Sequence, residues 1–413
     1  MYAAIDPALR QTPEAQEAES ILRACVHCGF CLATCPTYQV TGDELDSPRG
    51  RIYLMKSLFE GKEPGQRTQY HLDRCLTCRA CESTCPSGVR YGRLVDAGRS
   101  LLEQRFPRPI AGRTMRAWIR LSLGKASFFE AALNIGRALK GLLPSSLASH
   151  IPDARPAGVW PPARHARRMI VLGGCVQPAL DPGTNAAAAR VLDRLGISLV
   201  HVSRAGCCGA LPHHTGDHDG ALVAMRRNID AWWPHIEAGA EAIMATASGC
   251  GSELKDYGHQ LRNDPVYAER ARQVSELVKD LSEILAPLSE KIVALMPSIR
   301  RPVGKSARIS YHPPCSLQHG QQVRGKAEAV LTACGFDLQP FAESHLCCGS
   351  AGTYSLLQPE LSQQLKTRKL GHLLGTSPTM IATSNIGCQT HLQSGTAVPV
   401  RHWITLVDHL LHG

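Results

Sequence analysis

The chain reads as an α+β multidomain protein, a helical two-cluster ferredoxin domain followed by a duplicated α/β double-cysteine domain. Three observations carry this expectation. Eight of its seventeen cysteines fall in two tight runs within the first 100 residues. From residue 169 onward, one order of apolar strands, helices and cysteines is written twice. Between these parts, residues 101–168 hold twelve Lys or Arg against three acidic residues, almost the whole net charge of +10.

The first element is the pair of cysteine runs. "CVHCGFCLATCP" supplies Cys25, Cys28, Cys31 and Cys35, and "CLTCRACESTCP" supplies Cys75, Cys78, Cys81 and Cys85. Both fit C-x2-C-x2-C-x3-C-P, the spacing that holds [4Fe–4S] cubes. Three thiolates on a short loop meet three irons, and the fourth iron takes a thiolate from elsewhere. In two-cluster ferredoxins the last cysteine of each run serves the other cube. Cys25, Cys28, Cys31 and Cys85 are therefore expected at one cluster, and Cys75, Cys78, Cys81 and Cys35 at the second. Structural zinc, with its separated pairs of ligands, fits two runs of four far less well. The spacer between the runs includes "SPRGRIYLMKSLFEG" (47–61), a helical pattern, so residues 1–100 are expected to form a mostly helical domain.

Residues 101–168 carry helical patterns at "RTMRAWIRLSL" and "FFEAALNIGRALKGLL" and close in the Pro-rich "IPDARPAGVWPPARHARR". Arg113, Arg116, Arg120 and Lys125 interleaved with Trp118, Phe128 and Phe129 suit a helix lying on an anionic membrane surface or an acidic partner. Nucleic acid is not expected, since no binding motif accompanies the charge.

The duplicated part spans 169–296 and 305–413. The first copy runs from the strand "RMIVLGGC", ending at Cys175, through a helix, the strand "ISLVHV", "AGCCG" and a long helix to "EAIMATASGC", ending at Cys250. The second runs from "ARISYHPPC", ending at Cys315, through "KAEAVLTACG", "FDLQPF", "LCCGSAG" and a helix to "TMIATSNIGC", ending at Cys388. In both copies 31 residues separate the first cysteine from the double cysteine. Such an internal period marks two copies of one structural unit, and strands alternating with helices imply parallel sheets. Each cysteine falls at a strand end, where open α/β sheets gather ligands. Cys175, Cys207, Cys208 and Cys250 are expected to converge at one mouth, and Cys315, Cys347, Cys348 and Cys388 at its twin. Cys334 stands apart and reads as a packed core residue. His213, His214 and His218 read as solvated loop residues.

Seventeen cysteines without an export-type N-terminus argue for a reduced cytoplasmic setting and for metal or redox chemistry over disulfides. No G-x-G-x-x-G follows a strand and no phosphate-cradling loop is present, so neither a hydride-carrying nucleotide nor a flavin is expected on this chain.

Two ferredoxin runs followed by two double-cysteine repeats resemble a known group of redox subunits. It includes the iron–sulfur subunits of glycolate oxidase, of anaerobic glycerol-3-phosphate dehydrogenase and of lactate utilisation, and the cysteine-rich subunit of heterodisulfide reductase. Through "ILRACVHCGFCLATCPTYQVTGDELDSPRGRIYLMK", "NIDAWWPHIEAGAEAI", "ESHLCCGSAGTY" and "NIGCQTHLQSG" the chain is most similar to the glycolate oxidase iron–sulfur subunits. The resemblance implies FAD-binding partner subunits that oxidise glycolate to glyoxylate. It implies two [4Fe–4S] clusters on this chain, electron delivery toward quinone, and a peripheral place at the inner face of the membrane. Lactate or glycerol 3-phosphate remain open as the substrate, and catalytic thiol–disulfide reduction is the alternative role. The heterodisulfide reductase repeat ends in C-x-x-C, whereas here Glu253 and His391 stand three residues after Cys250 and Cys388. Each quartet is thus open to a further iron–sulfur cluster, a mononuclear metal such as zinc, or a redox-active thiol site.

Overall fold

In the computed structural model, which describes residues 1–142, 151–296 and 307–412, the N-terminal part is built from helices that prolines start. Pro13, Pro36 and Pro48 each open a helix (Pro13–Ala24, Pro36–Thr41, Pro48–Phe59), where the missing N–H has no intrahelical partner to lose. Thr12 and Ser47 cap the first and third by accepting from backbone N–H groups three residues on. The helix expected over 47–61 is thus present as Pro48–Phe59. It buries Ile52, Met55, Leu58 and Phe59 in one core with Leu94, Val95, Leu101 and Leu102 of the helix Tyr91–Arg105.

The basic stretch forms two helices, Ile110–Gly124 and Ala126–Ala138, broken at the extended Lys125. Leu143, the end of the second expected helix, lies outside the described residues. No helix among the described residues is long and apolar enough to cross a membrane.

Two four-stranded sheets follow. Strands β1 (Arg167–Val171), β2 (Ile197–His201), β3 (Ile243–Ala245) and β4 (Val278–Asp280) lie in the order β2-β1-β3-β4. Strands β5 (Arg308–His312), β6 (Asp337–Leu338), β7 (Met380–Thr383) and β8 (Val400–His402) repeat it as β6-β5-β7-β8. Every pairing is parallel. The strand expected over 336–341 shrinks to two residues: Gln339 still donates to Ile309 O at 2.8 Å, but Pro340 has no N–H to continue the ladder.

The halves are not separate bodies. Met169, Leu199 and Met244 share a core with Ile309, Tyr311, Trp403 and Leu411. Arg190 holds Asp408 in a bidentate pair at 2.5 and 3.0 Å, and His402 Nε2 meets Thr246 O at 2.9 Å. Both sheets therefore present the carboxyl ends of their strands to a common region.

Candidate metal centres

The two ferredoxin loops share an unusual backbone. His27 and Gly29 in one, and Thr77 and Arg79 in the other, are left-handed, with φ of 54°, 87°, 50° and 58°. Three of these four are not glycine, and a β-branched residue such as Thr77 rarely tolerates this region. Such strain persists where surrounding structure over-determines it, typically at ligand-clamping sites.

Cys25, Cys28, Cys31 and Cys85 line one small hollow, which Cys81 of the next set also touches. Burial, then the neighbouring Cys25, pushes the Cys31 thiol up to about 11. Cys75, Cys78, Cys81 and Cys35 crowd one another in the same way, and burial drives Cys78 and Cys81 well above the ordinary thiol range. Burial raises Cys25 and Cys31 in one set and Cys78 and Cys81 in the other, and a cationic guest would take such gathered thiols as thiolates. The donor sets, four thiols each, fit a cubane.

Beside the second set lies a charged network that sequence reasoning missed. Arg51 is fully buried and donates to His71 O, Thr37 Oγ1 and Asp46 Oδ1 at 2.7, 3.1 and 3.3 Å. Asp46 also meets His71 Nδ1 at 2.9 Å and Arg74 at 2.5 Å. Burial opposes the charge on Arg51, but Cys75, Tyr91, Cys35 and Asp46 together hold it well above its usual range. A guanidinium inside a ferredoxin core had one signal in the sequence, an Arg at the centre of an apolar helical face in "RGRIYLMK".

The repeat cysteines converge as two quartets at strand ends. Cys175 follows β1, Cys207 and Cys208 follow β2, and Cys250 sits in the first turn of the helix Ser248–Leu254 beyond β3. The sulfurs form a relay of contacts, Cys175 to Cys207 to Cys208 to Cys250. In the second half Cys315 lies 3.6 Å from Cys347, Cys347 meets Cys348, and Cys348 meets Cys388. The glycine after each pair is left-handed, Gly209 at φ 97° and Gly349 at φ 89°. A Cβ on Gly349 would stand 2.5 Å from Ser362 O, so only glycine lets the chain turn there.

Where the sequence implies two mouths, the structure has one. A cavity of about 490 Å³ is walled by Cys175, Cys207, Cys208 and Cys250 on one side and by Cys315, Cys347 and Cys388 on the other. Both sheets point their strand ends at it because the halves share a core. Cys78 of the ferredoxin loop also opens onto this cavity and packs with Cys315 and Cys347.

The residues that replace the C-x-x-C endings behave differently. Glu253 is buried and meets His213 Nδ1 at 2.9 Å. The solvated reading therefore fails for His213: the short helix Ala210–His214 folds it under, against Glu253. Burial works against its charge, but Glu253 and Asp96 raise His213 to about 9. His214 faces the cavity, and His218 stacks edge-on to His213 at 5.4 Å between ring centres. His391 instead faces Ser362 Oγ at 3.2 Å, and burial with Lys366 nearby lowers it to about 4. A further histidine, His312, lies buried beside Cys348 and Cys388. Cys334 is buried in the shared core.

The basic helices also differ from expectation. Arg116 pairs with Asp73, and Arg120 with Asp217 and Thr215 O. These two charges hold the helix Ile110–Gly124 to the body and do not face outward. Arg113 and Lys125 are exposed, as are Ile110, Met115, Trp118, Phe128 and Ile135.

Comparison with known proteins agrees with this layout. Residues 21–89 match the 4Fe-4S dicluster domain, and residues 170–255 and 309–393 each match the cysteine-rich domain. The glycolate oxidase iron-sulfur subunit of Escherichia coli (strain K12) is 51% identical over 100% of this chain and 99% of its own length. The probable glycolate oxidase iron-sulfur subunit of Bacillus subtilis (strain 168) is 29% identical over 91% of this chain and 89% of its own. Lactate utilization protein A of Shouchella clausii is 24% identical over 55% of this chain and 93% of its own. Iron–sulfur binding follows from these domains.

Proposed function

The chain belongs to the family of glycolate oxidase iron–sulfur subunits, and from that premise we propose that it carries electrons from FAD-binding partner subunits, which oxidise glycolate to glyoxylate, toward the quinone pool. Two [4Fe–4S] clusters are held by Cys25, Cys28, Cys31 and Cys85, and by Cys75, Cys78, Cys81 and Cys35. When bound, they supply one-electron transfer. The quartets at Cys175, Cys207, Cys208 and Cys250, and at Cys315, Cys347, Cys348 and Cys388, hold additional metal. Residues 1–100, 101–168, 169–296 and 305–413 are the corresponding domains.

One observation supports this reading above the others: the cysteine sets adjoin in a single series. Cys28 is exposed at one end. The hollow of the first set touches Cys81 of the second. Cys78 of the second packs against Cys315 and Cys347, and the first quartet faces these across the cavity. The chain's own residues thus order the sites from surface to interior. Thr34 Oγ1 lies at the first junction, 3.4 Å from both Cys31 O and Ala80 O. The exposed apolar face with Arg113 and Lys125 supports a peripheral contact at the inner membrane surface.

The test separates this chain from its partners. The assembled complex is expected to reduce a dye with glycolate, whereas the isolated chain leaves glycolate untouched and reduces no disulfide with an artificial donor. Disulfide reduction by the isolated chain would overturn the carrier role in favour of a thiol–disulfide reductase.

A further inference from the structure

The second quartet has a neighbour that the first lacks. His312 closes β5, three residues before Cys315, and the matching residue three before Cys175 is Leu172. Leu172 packs into the apolar core of the first half. His312 is completely buried, with 0% of its surface exposed, and neither ring nitrogen has a hydrogen-bond partner among the described residues.

That makes it an exception. Of the five buried histidines described, the other four are satisfied: His71 by Asp46, His213 by Glu253, His319 by Ser83 and His345 O, and His402 by Thr246 O. A buried polar group left without a partner is disfavoured, so His312 needs one. The groups at hand are thiols: a ring nitrogen of His312 and the sulfurs of Cys348 and Cys388 all lie within 4.8 Å of one another. Imidazole nitrogen and thiolate sulfur are together the donor set for iron and similar metals.

We propose that His312 is a nitrogen donor to an iron centre held by the second quartet, beside Cys348 and Cys388. The two halves then hold different centres, the first bound by thiolates alone, the second by thiolates and an imidazole. This rests on the reading that the quartets bind metal. The second quartet is also the one packed beside Cys78 of the ferredoxin loop, so the mixed-donor centre stands next in the series.

The experiment uses the full chain, prepared anaerobically with its iron, with natural or 15N-labelled histidine, and reads pulsed EPR of the reduced protein together with iron and zinc content. The variants are His312→Leu, which installs the residue that the first half already accommodates at this strand position, and His391→Leu as control. The expected result is iron above the roughly eight atoms of two cubes, with a histidine-nitrogen coupling that changes on labelling. The coupling disappears in His312→Leu and survives in His391→Leu. Iron above eight with no histidine coupling overturns the role of His312 while the quartets still bind metal. A coupling lost with His391 and kept without His312 overturns it equally. Iron at about eight overturns the inference, and iron at about eight with no bound zinc overturns the quartet centres as well. The isotope comparison on the unaltered chain stands even where a variant fails to fold.

Discussion

The two double-cysteine halves share strand order, the 31-residue interval to the double cysteine and the left-handed glycine after the paired thiols, yet the ground around each quartet has diverged. The first has Leu172 behind it and a buried Glu253–His213 ion pair at its side. The second has His312 behind it, His391 on Ser362, and a buried Lys369 that donates to Glu343 O at 2.6 Å. Burial lowers this lysine to about 8. The second half packs Cys315 and Cys347 beside Cys78 of the ferredoxin loop. Duplication preserved the backbone that presents four thiols, while the side chains that set charge and position in the series were free to change. The lesson is that equal spacing implies equal geometry, not equal chemistry.

The sharpest way to break the comparison is to interrupt each quartet in turn. If the sites act in series, Cys347→Ser is expected to stop reduction of both quartets by glycolate in the assembled complex. Cys207→Ser should leave the second quartet reducible. Spectra of the reduced complex check this, and equal losses from both variants would mean that the halves act in parallel.

Next in size is the ion pair. Removing Glu253 as Leu strands a buried imidazolium and is expected to cost about 3–5 kcal/mol, whereas His391→Leu loses one hydrogen bond and costs about 1 kcal/mol. Denaturant melts compare them directly.

The halves should also respond oppositely to pH. His213 is raised to about 9, so its contribution is complete below pH 6.5 and is lost as pH rises through 9. That loss is on the order of 3 kcal/mol. His391 is lowered to about 4, so the folded state resists its protonation and stability falls as pH drops from 6.5 toward 4. Melts across this range should lose their alkaline slope in His213→Gln and their acid slope in His391→Leu.

A smaller contrast lies at the glycines. Ala at Gly349 would press its Cβ onto Ser362 O at 2.5 Å, while at Gly209 the nearest atom, Ala221 O, stands at 3.3 Å. Gly349→Ala is expected to destabilise by about 2–4 kcal/mol and Gly209→Ala by about 1–2 kcal/mol, since both carry the left-handed strain.

The smallest effect on folding belongs to the basic helices. Reversing Arg113 and Lys125, which are exposed, should change stability by less than about 0.5 kcal/mol while weakening sedimentation with anionic vesicles. Reversing Arg116 and Arg120 should destabilise the chain, because they are tied to Asp73 and Asp217.

Much of this architecture was legible in the residues. The cysteine runs, the 31-residue interval and the strand-ending positions of Cys175, Cys250, Cys315 and Cys388 depend on local chain geometry, which spacing records. The helix at 48–59 was legible because its apolar period and its N-terminal proline agree. What spacing could not record was contact between distant segments. His213 read as a solvated loop residue because nothing in "LPHHTGDHDG" shows that Glu253, forty positions on, folds against it. Arg116 and Arg120 read as outward charges because their acidic partners lie in other elements. His312 carries no signal in the sequence, since its neighbours Cys348 and Cys388 are more than thirty residues away.

By itself, then, the sequence determined the ligand types, their local loops and the duplication, because these follow from covalent order and short-range backbone preference. Only the tertiary structure decided that the two quartets open into one cavity, that the second of them adjoins the ferredoxin loop, and that a histidine stands behind it unsatisfied. Those facts arise from how two sheets bury a common core. The burial is driven by apolar area and not by any motif, so it leaves no signature at the residues it brings together.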